Sequence, residues 1–231
     1  MTVKRPLGLF VGGTDTGVGK TMSAVRIVEW LRRAGYRVAA HKPVATGCQR
    51  VAGECISDDA LALWEATGRI GTPDKVCPQC FEAPLAPYLA AEKERRVVDS
   101  AMLRDGIKSW NGECDFLIVE GTGGLMSPLD RHTLNIDLAV EFGFPLVIVA
   151  QDRIGVIHQT LQSCTVASDY SVPVKAIILS ETTPPDRNSG QGIDPSLESN
   201  ATAVAEFTHK PVTRLPWRGA TFVPPLDWAT L

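Results

Sequence analysis

Residues 7–21 read LGLFVGGTDTGVGKT, an apolar run that leads into a glycine-rich turn ending in Lys20 and Thr21. The run Leu7–Val11 is typical of a buried parallel strand. Apolar residues then recur at helical spacing from Ala24 to Leu31, so the turn joins a strand to a helix. That is the context of a phosphate-binding loop, in which glycines let backbone N–H groups point at an anion and the helix N-terminus adds positive charge. The stretch therefore predicts a nucleoside triphosphate site.

Two side chains of this loop have expected roles. Lys20 should reach the β- and γ-phosphates, and the Thr21 hydroxyl should bind Mg²⁺. Five residues separate Gly13 from Gly19, whereas the usual phosphate loop has four. The loop is thus one residue longer than the common pattern.

The rest of the chain alternates apolar runs with amphipathic stretches, which predicts a sheet flanked by helices. We expect an α/β fold of the P-loop NTPase type, with a mostly parallel sheet, helices on both faces and a single domain over residues 1–231. Further strands are predicted at residues 37–40, 116–119, 146–150 and 174–179, and helices at 58–66, 100–110, 135–142, 156–167 and 196–207. A proline-rich stretch, Thr72–Pro87, stands apart, and Thr183–Pro195 is predicted to be a mobile loop.

Composition excludes several classes of protein. Hydrophobic residues make up 44% and charged residues 21%, which is ordinary for a globular protein. The net charge of −3 and the lack of a basic arm argue against a nucleic-acid partner. The longest apolar run, Phe144–Ala150, is far too short to cross a membrane. Six cysteines in a chain of this length do not indicate a disulfide framework, so we expect a cytoplasmic protein.

Three charged residues at or near predicted element ends could complete the site. Glu120 follows the strand 116–119, and Lys42 follows the strand 37–40. Ligands of open parallel sheets bind at the carboxyl ends of the strands, so both side chains should face the phosphate loop. Asp59 is the second residue of the predicted helix 58–66 and is a candidate second carboxylate for Mg²⁺. The sequence also allows roles outside a binding site. Glu120 could end its strand in a solvated turn, and Lys42 could be a surface lysine. Asp59 could lie at the helix N-terminus only because the helix dipole favours a negative charge there.

Four motifs together resemble the dethiobiotin synthetase family. They are residues 13–21 (GTDTGVGKT, with the same extra residue), 42–47 (KPVATG), 58–63 (DDALAL) and 119–124 (VEGTGG). The first two are specific, and the resemblance is collinear from about residue 7 to residue 217. It implies a homodimer that uses MgATP, CO₂ and 7,8-diaminopelargonic acid to make a cyclic urea. One amine becomes a carbamate, the carbamate attacks the γ-phosphate to give a carbamic–phosphoric anhydride, and the second amine closes the ring and expels phosphate.

The resemblance also implies roles for individual residues. Lys42 and Lys20 match the catalytic lysines, and Thr21, Asp59 and Glu120 match the metal ligands. The positions expected to contact the nucleotide also include Gly17, Val18, Gly19, Met22, Gly121, Thr122, Gly123, Ser180, Pro216 and Trp217. Those expected to contact the diamine or its carbamate are Thr16, Thr46, Gly155 and Val156.

The sequence departs from the family pattern at two places, the pair His158 and Gln159 and the single residue Ser180. His158 and Gln159 follow Ile157 where the family has Ile-Asn-His at the substrate site of the dimer interface. Ser180 stands where the family has an asparagine that contacts the adenine. A serine has one hydroxyl group, whereas an asparagine amide offers a separate hydrogen-bond donor and acceptor. A divergent paralogue that acts as a P-loop ATPase or nucleotide-dependent switch is therefore the alternative. Switch ATPases of related fold carry a second lysine where this chain has Asp15.

The pair Cys77 and Cys80 has the spacing of a zinc or redox motif. A structural zinc site needs four ligands, and six residues intervene between Cys48 and Cys55, which is not the spacing of a standard second pair. The sequence therefore favours no metal or redox role for these cysteines.

Overall fold

A computed structural model describes residues 4–51, 53–184 and 194–231. In chain order the strands are β1 (Leu7–Gly13), β2 (Val38–His41), β3 (Ala45–Thr46), β4 (Gln49–Val51), β5 (Glu54–Ile56), β6 (Cys80–Phe81), β7 (Phe116–Gly124), β8 (Leu146–Gln151), β9 (Val174–Ser180) and β10 (Val212–Leu215). The α-helices are α1 (Lys20–Arg33), α2 (Asp58–Ala66), α3 (Pro73–Val76), α4 (Pro87–Lys93), α5 (Ser100–Asp105), α6 (Asn135–Phe142), α7 (Val156–Asp169) and α8 (Asn200–Thr208).

The core is a six-stranded sheet in the order β10-β9-β8-β1-β7-β2, with every neighbouring pair parallel. Consecutive residues of β2 and β8 are buried along nearly their whole length. Because successive side chains of a strand point to opposite faces, this burial requires that helices cover both faces of the sheet. The predicted α/β fold with a mostly parallel sheet is confirmed.

The predicted strands all occur, and the helices at 58–66 and 135–142 occur with the predicted bounds. The helix predicted at 100–110 is α only to Asp105 and continues as a 3₁₀ helix from Gly106 to Trp110. Gly106 packs so closely on His41 that an added Cβ would lie 2.7 Å from the ring Nε2. The helix predicted at 156–167 runs two residues further.

The helix predicted at 196–207 is divided. A 3₁₀ turn, Pro195–Glu198, precedes α8, which starts at Asn200. The division has a local cause, because Asp194 accepts a hydrogen bond from Ser196 N and Asn200 donates to the buried Asp152 at 2.8 Å. Most of the predicted mobile loop Thr183–Pro195 lies outside the described residues.

A small layer beside β2 was not predicted. The proline-rich stretch folds into α3, β6 and the start of α4, and β6 pairs in parallel with β3. An antiparallel hairpin, β4–β5, lies between β3 and α2. β10 at the sheet edge was also missed. Among the described residues, no helix combines the length and apolar character needed to cross a membrane.

Candidate active site

The loop between β1 and α1 leaves the sheet at its carboxyl edge, where β1 lies between β7 and β8. Gly17 and Gly19 have φ of +70° and +90°, which L side chains rarely adopt. A Cβ on Gly19 would lie 2.3 Å from Ser180 Oγ, and one on Gly13 would lie 2.8 Å from Lys20 Nζ. The glycines therefore shape a cradle that a side chain would fill, as a polyphosphate loop requires.

Lys20 is folded into this cradle. Its Nζ donates to the carbonyl oxygen of Asp15 at 2.6 Å, and the residue is buried. Burial is the main reason that the pKa of Lys20 falls to about 8, against the attraction of Glu120. A bound polyphosphate would supply negative charge and favour the protonated amine.

Lys42 lies between two carboxylates. Its Nζ is 2.6 Å from Glu120 Oε1 and 3.2 Å from Asp59 Oδ2, and only 4% of its side chain is exposed. Burial disfavours the charged amine, but Glu120 and Asp59 outweigh it and raise the pKa of Lys42 above its usual value. The structure thus places Lys42 inside the site as a buried cation and not on the surface.

Thr21 joins the same group. Its hydroxyl donates to Glu120 Oε1 at 2.9 Å and lies close enough to Asp59 to influence the pKa of that carboxyl group. Burial alone would raise the pKa of Asp59, but Lys42 and the Thr21 hydroxyl outweigh it and hold that pKa below its usual value. Two carboxylates and one hydroxyl therefore converge beside the phosphate loop.

This set of oxygens fits Mg²⁺. Within the part of the chain that the structure describes, Glu120 Oε2 is buried and has no hydrogen-bond partner, so this atom is available as a ligand. Mg²⁺ is usually bound by one or two carboxylates together with substrate phosphates and waters. Within residues 4–51, 53–184 and 194–231, no group of three or more His, Cys, Asp or Glu side chains could hold a metal ion, so Mg²⁺ here would need the Thr21 hydroxyl, substrate phosphates and waters as its other ligands.

A cavity of about 850 Å³ extends from the phosphate loop in two directions. Most of the sequence-predicted site residues line it: Thr16, Gly17, Gly19, Lys20, Thr21, Met22, Lys42, Thr46, Asp59, Glu120, Thr122, Gly123, Ser180, Pro216 and Trp217. Its volume is in the range of small-molecule sites.

Four predicted residues do not line this cavity. Val18 is buried in the core, and Gly121 packs against Phe10 and Asn135. Gly155, exposed and with φ of +90°, and Val156 lie at the start of α7. Within one chain, the structure does not bring this pair to the cavity.

Sequence reasoning did not assign several residues of the cavity wall. They are Pro84, Leu85, Ala86, Pro87, Ser127, Pro128, Glu181, Thr182, Leu215 and Arg218. Leu215 is the last residue of β10, and Glu181 directly follows β9. Because ligands of parallel sheets bind at the carboxyl ends of the strands, a prediction of every strand end would have identified both residues as candidates for the cavity wall. The segment Pro84–Pro87 reaches the cavity through the β3–β6 pairing, which the sequence did not reveal.

One end of the cavity is suited to a planar ring. Trp217 follows β10, and its backbone N–H donates to Glu181 Oε2 at 3.0 Å. The guanidinium of Arg218 lies 5.5 Å from the centre of the Trp217 ring. Ser180 is buried here beside Gly19, so the base-contacting position of the family is adjacent to the phosphate loop.

Comparison with known proteins gives the relatives of this chain. A family model described as an AAA domain matches residues 7–221. The chain is 43% identical over 181 residues to the ATP-dependent dethiobiotin synthetase BioD of Rhodopirellula baltica, covering 74% of this chain and 71% of the relative. It is 38% identical to the enzyme of the same name from Anaeromyxobacter dehalogenans strain 2CP-C, covering 91% and 90%.

Solved structures of similar fold are more distant in sequence. The cell division protein FtsY of Thermotoga maritima has a TM-score of 0.52 and 17% identity, covering 97% of this chain and 66% of that one. Chloroplast FtsY of Physcomitrella patens has a TM-score of 0.50 and 16% identity, covering 98% of this chain and 64% of that one. The chain thus spans about two-thirds of these proteins, and the similarity shows the fold alone.

Proposed function

Because the chain belongs to the dethiobiotin synthetase family, we propose that it closes the ureido ring of dethiobiotin from 7,8-diaminopelargonic acid, CO₂ and MgATP. ADP and phosphate are the other products. The observation that carries the proposal is the placement of Lys42. A second buried cation, held by Glu120 and Asp59, lines the same cavity as the phosphate-loop lysine.

The two lysines suit phosphoryl transfer from ATP to a carbamate. Such a transfer depends on positioning the reacting oxygens and neutralising charge more than on covalent chemistry by the protein. Lys20 and the backbone N–H groups of the loop would hold the β- and γ-phosphates. Lys42 would stabilise the charge that develops on the transferred group and the carbamate. Thr16 and Thr46 would contact the diamine from the same cavity.

Mg²⁺, when bound by Thr21, Asp59 and Glu120, would neutralise phosphate charge. The unpartnered Oε2 of Glu120 supports this assignment. In the structure described, Lys42 contacts both carboxylates, so it orients the two side chains from which the metal would take its oxygens.

The proposal includes a homodimer in the cytoplasm. Ile154 and Gly155 form the turn before α7, which starts at Val156, and Ile154 is 73% exposed. In the dimer, this turn of one subunit would complete the substrate site of the other, which explains why Gly155 and Val156 lie off the cavity of a single chain. The switch alternative gains no support from the relatives described above, which are named as synthetases.

The test is to identify the product with labelled bicarbonate. The purified chain is incubated with MgATP, diamine and ¹³C-bicarbonate, and products are separated and weighed by mass spectrometry. We expect a product heavier than the diamine by CO₂ minus water that carries one label. Unchanged diamine together with ATP hydrolysis would contradict the proposal.

A further inference from the structure

The turn that leads into α7 is exposed on the single chain. Arg153, Ile154 and Gly155 all face solvent, and Gly155 has φ of +90° directly before the helix. Among the described residues, no side chain caps this end of α7. Because local capping does not fix the turn, contacts from other parts of the chain must hold it in one conformation.

Asp194 holds the turn from one side. Its Oδ2 accepts a hydrogen bond from Ile154 N at 3.0 Å, and its Oδ1 accepts one from Ser196 N at 2.9 Å. Hydrogen bonds from Ser196, together with that from Ile154 N, hold the pKa of Asp194 below its usual value. An ionised carboxylate therefore joins the turn before α7 to the 3₁₀ turn before α8.

Asp152 holds the turn from the other side. It directly precedes the exposed residues, yet only 1% of its side chain is exposed. Asn200, the first residue of α8, donates to Asp152 Oδ1 at 2.8 Å and to the carbonyl oxygen of Arg153 at 3.4 Å. Arg214 Nε lies 3.1 Å from Asp152 Oδ2. The end of β8, the start of α8 and β10 thus meet at one buried carboxylate.

We propose that Asp152 and Asp194 are positioning residues for the diamine, because they hold residues 153–155 in the conformation that the substrate site needs. This inference rests on the proposed function, in which the turn of one subunit completes the site of the other. Groups that bind a substrate must be held near their productive geometry by their neighbours. A misplacement of about 1 Å can cost about 10²-fold in rate.

A direct chemical role for Asp152 fits the structure less well. Burial raises the pKa of Asp152, although Asn200 and Arg214 counteract it, and a carboxylate of raised pKa could act as a general base. In the part of the chain that the structure describes, however, its two oxygens contact Asn200 and Arg214, and it does not line the cavity. Asp152 therefore acts on the substrate through the turn that it holds.

A purely structural role for the two carboxylates would have a different kinetic signature. Loss of a contact that only stabilises the fold lowers the amount of active enzyme, so the apparent kcat falls and the KM of the remaining enzyme is unchanged. Misplacement of the turn instead weakens the contact with the diamine and raises its KM. The test therefore separates KM from kcat.

The first experiment is steady-state kinetics of dethiobiotin formation with varied diamine. Asp194→Ala and Asp152→Asn should each raise the KM for the diamine about tenfold, while the Kd for ATP stays within about threefold. Asp227→Ala is the matched control. Asp227 accepts a hydrogen bond from the N–H two residues later, as Asp194 does, but it lies in the C-terminal segment after β10. The control should leave the KM unchanged.

A mixed dimer tests whether the turn acts on the other subunit. Differently tagged Asp194→Ala and Lys42→Ala chains are co-expressed, and the dimer that carries both tags is purified. One of its two sites combines Lys42 with an intact turn, so it should show the wild-type KM at about half the wild-type kcat. In the control dimer, one chain carries both substitutions and the other is wild type. Its site with Lys42 then meets the altered turn, and its KM should stay raised.

Hydrogen exchange followed by mass spectrometry reports on the turn without any reaction. Peptides that contain Ile154 should exchange about tenfold faster in Asp194→Ala than in the wild type, because the amide loses its acceptor. An unaltered exchange rate would overturn the inference. An unchanged diamine KM in both variants, or a raised KM in the first mixed dimer, would overturn it as well, and these results leave the proposed function intact. Wild-type protein that forms no dethiobiotin would overturn the proposed function and this inference together.

Discussion

At the scale of single residues, Lys42 shows how burial and charge together define a site. A lysine with 4% of its side chain exposed is costly unless its charge is compensated, and Glu120 and Asp59 supply that compensation. The same two carboxylates converge with Thr21. One cluster therefore combines a buried cation with carboxylate and hydroxyl oxygens. Under the proposed function the cation serves phosphoryl transfer and the oxygens serve the metal, so substitutions here should separate chemistry from nucleotide binding.

Lys42→Ala should lower kcat for dethiobiotin formation by about 10²–10³-fold, because the charge that stabilises the transferred group is lost. The phosphate loop is unchanged, so the Kd for ATP should stay within about threefold. Steady-state kinetics and calorimetric titration with ATP measure the two quantities. Lys108→Ala, which removes an exposed lysine outside the cavity, is the control and should change neither. An equal loss of ATP binding in Lys42→Ala would make Lys42 a binding residue.

His41, immediately before Lys42, should make stability depend on pH. It is fully buried, and burial is the main reason that its pKa falls to about 4. The unfolded chain, with a histidine pKa near 6.5, binds more protons between about pH 4 and 6.5. Stability is therefore complete above about pH 6.5 and decreases as the pH falls, by about 3 kcal/mol from this residue near pH 4.

Urea unfolding between pH 4 and 7.5 measures this effect. The difference in unfolding free energy between wild type and His41→Gln should shrink as the pH falls through this range. His209→Gln, which changes an exposed histidine, is the control for replacing a histidine by glutamine. A difference for His41→Gln that does not change with pH would show that His41 is not held neutral by the fold.

At the scale of secondary-structure elements, the end of β7 is held in place by the first residue of α6. The Asn135 amide donates to the carbonyl oxygens of Thr122 and Gly124, and its Oδ1 accepts from Thr122 N at 3.0 Å. Thr122 Oγ1 in turn donates to Val44 O at 2.6 Å. This chain of contacts links the strand that carries Glu120 to the segment that carries Lys42.

Asn135→Ala should destabilise the fold by about 2–3 kcal/mol, because buried backbone groups lose their partners. Urea unfolding with an unchanged m-value measures it, and kcat should fall as well because Glu120 and Lys42 lose a shared support. Gln162→Ala, on the exposed face of α7, is the control and should change stability by less than about 0.5 kcal/mol. A similarly small effect of Asn135→Ala would show that the β7 end needs no such support.

The sequence predicted long elements and the residues at their ends, and it missed short ones. Glu120 could be placed because a long apolar strand precedes it, and parallel strands bring their carboxyl ends to one edge of the sheet. β3 and β6 have two residues each, too few to show periodicity, so the wall Pro84–Pro87 stayed hidden.

At the scale of the whole molecule, the proposed substrate site requires a second copy of the chain. The turn before α7 carries Ile154, 73% exposed, and the resemblance assigns the adjacent Gly155 and Val156 to the substrate. The proposed dimer would reconcile these two observations. It would also place His158 and Gln159, the departures from the family pattern, beside the substrate of the other subunit.

Ile154→Glu should convert the dimer to a monomer, because a charge would be buried without a partner. Sedimentation velocity should show the shift, and dethiobiotin formation should fall at least tenfold while ATP binding is retained. Val97→Glu, at an 83% exposed position on another part of the surface, should leave the dimer intact. A wild-type chain that sediments as a monomer would contradict the dimer outright.

The proposed function requires that phosphoryl transfer by this site depends on the diamine. The most direct measurement is phosphate release by the purified chain with MgATP and bicarbonate, with and without 7,8-diaminopelargonic acid. We predict that release depends on the diamine and equals dethiobiotin formed, one for one. Release that is the same with and without diamine, or ATP binding with no turnover, would contradict the account and indicate a protein that kept this fold for another substrate.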